Sequence, residues 1–153
     1  MSDTKKTNWL IAIITVVTAI LGGFFSMNSS EFYDTLVRPP LAPPSIAFPI
    51  VWGILYVAMA ISLMLYFRKN PDDTVALLLY VANLVLNALW PLFFFTLQNV
   101  GLALIILIAM IFVNLILLGR LKNVKWAFYL YLPYLLWQLF ALYLNVAIFL
   151  LNE

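Results

Sequence analysis

From Val75 to Gly119 the chain carries no charged side chain. About 20 apolar residues cross the hydrocarbon of a bilayer as a helix, so this stretch is too long for one span and must hold two. Gln98, Asn99 and Gly101 supply a polar, turn-forming break, which places spans near 75–97 and 101–119. Three more charge-poor blocks complete the pattern, near 9–27, 46–67 and 126–151. Only 9% of the chain is charged and 66% is hydrophobic, whereas a soluble domain needs roughly 25% charge to cover its surface. Backbone polar groups in hydrocarbon must pair within their own segment, so the blocks read as helices. The sequence predicts an all-α integral membrane protein, a single compact bundle of five transmembrane helices with a long first loop over 28–45.

Charge placement agrees with five spans. The amino terminus and the connections 68–74 and 120–125 then share one side, carrying Lys5, Lys6, Arg68, Lys69, Arg120, Lys122 and Lys125. These are seven of the eight basic residues, and only Arg38 falls on the other side. Such a bias predicts an amino terminus inside and a carboxyl terminus outside. The first span also has the basic start of a signal peptide, but its apolar run is longer than roughly 7–15 residues and no small-x-small site follows, so it reads as an uncleaved anchor. Asp73 or Thr74 is the expected N-cap of the third span.

Composition excludes much chemistry. Without cysteine or histidine there is no disulfide, thiolate or imidazole for catalysis or metal ligation. No Asp, Glu, Lys or Arg lies within a proposed span, which argues against ion pumps, proton relays and voltage sensors. General acid–base catalysis is left with tyrosines alone. No basic patch interleaved with aromatics suggests a nucleic acid partner, and no inverted internal repeat suggests a secondary transporter.

The polar and aromatic residues inside the spans fall on helical faces. Phe48, Trp52 and Tyr56 share one face of the second span; Asn83, Asn87 and Trp90 share one of the third; Trp137, Ala141 and Asn145 share one of the fifth, beside Gln138. Amides in hydrocarbon are costly unless paired, so these faces should turn inward, toward each other or a ligand. An aromatic interior with a few convergent amides suits a flat hydrophobic guest. Trp52, Trp90 and Trp137 serve interior packing equally well on this pattern. Trp9 and Trp126, at span ends, read as interfacial belt residues. Asn114 reads as a helix–helix contact. Pro91 and Pro133 should kink their helices.

The first loop runs into Pro39, Pro40, Pro43, Pro44 and Pro49, which stiffen it. The series Pro43, Pro44, Phe48, Pro49, Val51, Trp52, Leu55 and Tyr56 resembles the tryptophan-rich sensory protein and translocator protein (TspO/MBR) family. So do Asn87 with Trp90, and the set Pro133, Tyr134, Trp137, Phe140, Ala141 and Asn145. The resemblance spans nearly the whole chain. It departs where Leu41 and Phe32 replace frequent tryptophans of the loop, where Pro91 follows Trp90, and where no basic residue follows Lys125 to complete a sterol motif.

The resemblance implies a five-helix fold that binds porphyrins such as protoporphyrin IX, or benzodiazepine-like and isoquinoline carboxamide drugs, under the first loop. The implied site lies between the helices bearing Trp52, Asn87 and Trp137. The ligand-binding set expected here is Tyr33, Pro43, Phe48, Trp52, Tyr56, Asn83, Asn87, Trp90, Trp137, Gln138 and Ala141. Trp52 and Trp137 are the candidates for a part in light- and oxygen-dependent porphyrin breakdown. No cofactor is required, and free-base porphyrin is favoured over axially ligated haem. A homodimer in a bacterial cell membrane is implied as well. The competing readings are a transporter of tetrapyrroles or sterols, and a structural protein whose aromatic interior only packs.

Overall fold

Five helices long and apolar enough to cross a membrane make up the computed structural model, which describes residues 3–153. They are α1 (Asp3–Phe25), α3 (Ala47–Lys69), α4 (Thr74–Pro91), α5 (Val100–Leu121) and α6 (Lys125–Leu151), with α4 prolonged by a π-helical turn over Leu92–Thr96. No strand occurs among the described residues. The protein is an all-α integral membrane protein. The helices close a ring in the order α1, α3, α6, α5, α4, with α4 returning to α1.

The ring is apolar outside and partly polar inside. Ile20 and Phe24 on α1, Ile54 on α3, Leu78 on α4, Phe112 on α5 and Leu136 on α6 are exposed, as contact with acyl chains requires. Tyr80, Asn83, Asn114, Tyr131, Tyr134 and Gln138 are fully buried. Lipid tails are as apolar as leucine, so interior packing and hydrogen bonds, rather than hydrophobic burial, hold such helices together. Trp9 and Trp126 are exposed on the end of the ring that carries the basic connections, and Lys125 lies 5.9 Å from the Trp126 ring.

Two features differ from the sequence reading. The first loop, expected as an irregular segment over 28–45, contains a short helix, α2 (Ser29–Thr35), whose Tyr33 is buried and whose Phe32 packs edge-on against Phe94 at 6.1 Å. Pro91 does not simply break its helix. It lacks an N–H and its ring crowds the carbonyl four residues earlier, and the chain widens directly after it into the π turn. Leu97 N–H then donates to Leu92 O and Asn99 N–H to Phe93 O, each at 2.8 Å. The break ends at Gln98, which adopts a left-handed φ of 52°, and Asn99 caps α5 by accepting from Leu102 N–H.

At the other end of the ring Asp73, not Thr74, caps α4, accepting from Ala76 N–H at 3.0 Å. Its carboxylate also accepts from Tyr66 Oη at 2.6 Å and from Arg120 at 2.8 Å, joining α3, α4 and α5. Burial opposes its ionisation, but the hydrogen bonds from Tyr66, Ala76 and Arg120 outweigh it and hold the carboxyl below its ordinary range. A folded-state pKa below the unfolded one stabilises the fold above the unfolded value, and that stabilisation is lost as pH falls through the folded value. Asp73→Asn should therefore lower thermal stability in detergent by about 1–2 kcal/mol at neutral pH. The gap from the wild type should close on acidification below about pH 4, and circular dichroism melts across pH check both expectations.

Candidate functional site

A chain of hydrogen bonds fills the middle of the ring. Tyr56 Oη on α3 donates to Asn87 Oδ1 at 2.9 Å, and Asn87 Nδ2 on α4 donates to Tyr134 Oη on α6 at 2.6 Å. Tyr134 donates onward to Asn83 Oδ1 at 2.6 Å, which also accepts from Asn114 Nδ2 on α5 at 2.9 Å. Asn114 further donates to Gln138 Oε1 at 3.1 Å and Met110 O at 2.8 Å, and its own Oδ1 accepts from Tyr131. Each amide sits on the inner face that its helical spacing dictates, so four helices are tied by neutral groups.

Beside this network lies a cavity of about 260 Å³ between α1, α3 and α4. Its walls are Phe48, Pro49, Trp52, Gly53 and Tyr56 from α3, and Asn87, Trp90, Pro91 and Phe95 from α4 and its π turn. Ala19, Gly22, Gly23 and Ser26 of α1, Ser29 of α2 and Met110 of α5 complete it. Trp52 is braced by Tyr56 and Tyr134, each with ring centres 5.9 Å away. Trp90 is fixed by its indole N–H, which donates to Asn145 Oδ1 at 3.0 Å, and by stacking on Phe94 at 4.9 Å. The π turn brings Phe94 and Phe95 inward, both buried. The wall holds aromatic faces, one amide and hydroxyls, and no ionisable acid or base except the Tyr56 phenol.

The first loop covers the end of the ring next to the cavity. Tyr33 Oη donates to Pro43 O at 3.1 Å, and the Arg38 guanidinium lies over the Tyr33 ring at 4.8 Å. Burial pushes the Tyr33 phenol up, with Arg38 working the other way, so it stays a neutral donor. Asn152, just beyond α6, holds the loop from the opposite terminus: its Oδ1 accepts from Val37 N–H and its Nδ2 donates to Val37 O, both at 2.9 Å.

Of the residues singled out in the sequence, Phe48, Trp52, Tyr56, Asn87 and Trp90 stand together on the cavity wall. Tyr33 and Ala141 border a separate hollow of only about 10 Å³ that it shares Phe48, Trp90 and Phe95 with. Pro43 lies in the loop as the acceptor for Tyr33. Asn83 and Gln138 belong to the buried network, as does Asn114, whose bonds to α4 and α6 are the helix–helix contact expected of it. Trp137 stands behind Phe48 at 6.3 Å, off the wall of the larger cavity, with its buried indole N–H unpartnered. The cavity thus opens toward α1, where the sequence reading placed no site residue. The signal was present in the adjacent Gly22 and Gly23, two poor helix formers inside an apolar span.

These features define a polytopic helical membrane protein with one aromatic, nearly uncharged cavity beneath a tied-down loop. The sequence matches the TspO/MBR family over residues 10–151, and the chain belongs to that family. It is 38% identical over 135 residues to the tryptophan-rich protein TspO of Chlorobaculum tepidum, covering 84% of each chain. It is 35% identical over 147 residues to the tryptophan-rich protein TspO of Archaeoglobus fulgidus, covering 94% of this chain and 96% of the relative. The translocator protein of Sus scrofa is 31% identical over 163 residues, covering 95% and 92%.

The network carries a prediction of its own. Asn114→Leu keeps the branched shape but leaves Gln138 Oε1 and the Tyr131 hydroxyl without their partner, which should cost about 2–3 kcal/mol. Asn114→Ala should be no milder. Because Asn114 is not on the cavity wall, either loss should appear in thermal unfolding of the ligand-free protein in detergent.

Proposed function

We propose that this protein is a membrane receptor for porphyrins and other flat hydrophobic molecules, bound between α1, α3 and α4. The observation that carries the reading is the cavity itself: rigid indole and phenyl faces around a single amide, deep in a ring that has no charged group there. Small-molecule sites of roughly 300–1,000 Å³ are typically lined in this way, with a few polar groups fixing orientation. At about 260 Å³ the cavity encloses a small drug-like molecule or one edge of a tetrapyrrole. The rest of a macrocycle extends between α1 and α3, past Gly23 and Gly53 on the cavity wall. Below Asn87 the interior is filled by Tyr134, Asn83 and Asn114, which supports binding at one end over passage through the ring.

Such a site also suits light-dependent breakdown of its guest. An excited porphyrin transfers its energy to dioxygen, which adds across a bridging carbon–carbon double bond. Cleavage of that bond leaves one oxygen atom on each carbon as two carbonyls, so no other oxidant or reductant is needed. The protein's part is to hold the ring plane against Trp52, and no acid or base is required. The charge bias of the connections supports a bacterial cell membrane with the amino terminus inside.

A protoporphyrin IX titration of the detergent-solubilised protein, followed in the Soret band, tests the reading. Saturable binding is expected, weakened about tenfold by Trp52→Ala, since a stacked aromatic contributes on the order of 1–2 kcal/mol. Trp137→Ala should have the smaller effect, because Phe48 stands between it and the guest. Illumination in air should bleach the bound band faster in the wild type than in Trp52→Ala at matched occupancy. Absence of saturable binding would return these rings to a packing role.

A further inference from the structure

Dioxygen activated inside the cavity meets few side chains able to react with it. The chain has no cysteine or histidine, which leaves indoles, phenols and thioethers. The wall offers Trp52, Trp90, Tyr56 and a single thioether, Met110 of α5. Met110 Sδ lies 3.5 Å from Tyr134 Oη, the oxygen to which the cavity residue Asn87 donates at 2.6 Å. The sulfur therefore sits at the Asn87 end of the cavity. Leucine, abundant in the same helix, fills about the same space, so packing does not call for sulfur at this position.

Met59 on α3 is the natural comparison. Met110 and Met59 are 1% and 0% exposed, and both touch the buried network, since Met59 Sδ lies 4.0 Å from Asn83 Nδ2. They differ in one respect: Met110 borders the cavity and Met59 does not. Met27 is the opposite case, a thioether 72% exposed at the end of α1. Thioether oxidation follows access of the oxidant to sulfur. An oxidant from solvent reaches Met27 first, and one formed in the cavity reaches Met110 first.

We propose that Met110 is an oxidation site of the cavity, converted to methionine sulfoxide by the dioxygen that a bound guest excites in light. The source of the oxidant rests on the reading of the preceding section. Excited dioxygen adds to the sulfur, which gives up two electrons. One oxygen atom stays as the sulfoxide, and a water molecule completes the step, so that thioether, dioxygen and water yield sulfoxide and hydrogen peroxide. The new oxygen is a strong acceptor with the Tyr134 hydroxyl beside it. Asn83 Oδ1, which Tyr134 would leave, still accepts from Asn114, so the product can be housed. A polar oxygen on an apolar wall disfavours the flat guest, and light thereby lowers the affinity of the site that used it. Unlike an opened indole ring, a methionine sulfoxide can be reduced back to the thioether.

The test illuminates the full chain in detergent with protoporphyrin IX, in air and under argon, and locates each added oxygen atom by peptide mass spectrometry. In air, Met110 should gain oxygen at least about fivefold faster than Met59, as access to the oxidant dictates, and under argon neither should. Equal rates at Met110 and Met59, or oxidation confined to Met27, would overturn the site. The porphyrin affinity of the illuminated protein, freed of bleached pigment, is the second readout. It should be about tenfold weaker than in the dark, as a buried polar oxygen implies. Met110→Leu, compared with its own affinity in the dark, should show no such loss. An equal loss in both proteins would assign the effect to the indoles and overturn the role of Met110.

Phenalenone, a flat aromatic ketone that dissolves in the micelle and excites dioxygen in the same way, gives an arm independent of porphyrin. Preferential oxidation of Met110 over Met59 with phenalenone, but no saturable porphyrin binding, would support the oxidation site and refute the porphyrin reading. Saturable porphyrin binding with an unmodified Met110 after illumination in air would overturn the oxidation site and leave the receptor reading standing. The two failures are therefore distinct.

Discussion

The hydrogen bond from Tyr134 to Asn83, with the amides and phenols continuous with it, is the constraint on which the rest of the structure depends. In hydrocarbon no water competes for these groups, and an unpaired amide is penalised more heavily than a paired one is rewarded. Single interhelical bonds of this kind contribute only about 0.6–2 kcal/mol. Their joint effect is on register: sliding α4 or α6 by one turn would break bonds at Asn83, Asn87 and Asn114 together, and sliding α5 would break those at Asn83 and Asn114. Tyr56 brings α3 into the same set. The helix outside the set is α1, joined to the core mainly by Thr15, whose hydroxyl lies 2.7 Å from that of Tyr80, and by Thr96, which donates to Phe25 O at 2.8 Å. The cavity forms on the side of the least-tied helix, which follows from where the amides are.

Pro91 acts on the same end of the ring. A proline inside a helix frees the carbonyl it cannot satisfy and pushes the preceding turn aside. Here the strain is absorbed by the π turn after it, and a wider turn rotates the following side chains relative to an α-helical continuation. Phe94 and Phe95 are thereby buried against Trp90, with Phe95 facing the cavity. An ordinary helix through 92–96 would point a different pair of residues inward. The aromatic rim is therefore a consequence of the one proline on α4, together with the left-handed Gln98 that ends the turn.

Five helices were legible because charge is so sparse that each basic cluster marks a chain reversal, and the break at Gln98 and Asn99 could be placed to within a residue or two. The inward faces of α3 and α4 were legible for a related reason: amides in hydrocarbon have only the interior to go to. Which interior residues meet each other and which meet a cavity was not legible. Asn83 and Asn87 are one turn apart on the same face, yet Asn87 lines the cavity and Asn83 is enclosed by Asn114 and Tyr134. That distinction depends on how far α1 stands from α4, and nothing in the spacing encodes it. Trp137 is similar, since its face points inward as expected but Phe48 lies in front of it. The helix within the first loop was missed because its seven residues, SSEFYDT, lack the apolar periodicity that marks the longer helices.

The hydrogen bonds of Asn87 also decide how a guest can bind. Asn87 already accepts from Tyr56 and donates to Tyr134, so its amide offers only a spare lone pair and an N–H. A polar ligand that took over Asn87 fully would strand the Tyr56 hydroxyl, which donates to it, and the penalty for an orphaned buried phenol offsets what the new bond contributes. Affinity must then come mostly from contact with Trp52, Trp90, Phe48 and Phe95, for which flat and apolar surfaces are best. A porphyrin's acidic side chains, costly to bury without a counter-charge, cannot point toward Asn87. They belong at the loop end, where the Ser26 and Ser29 hydroxyls border the cavity. The same groups that lock the four helices together thus favour a guest held by its faces, with its charged edge outward.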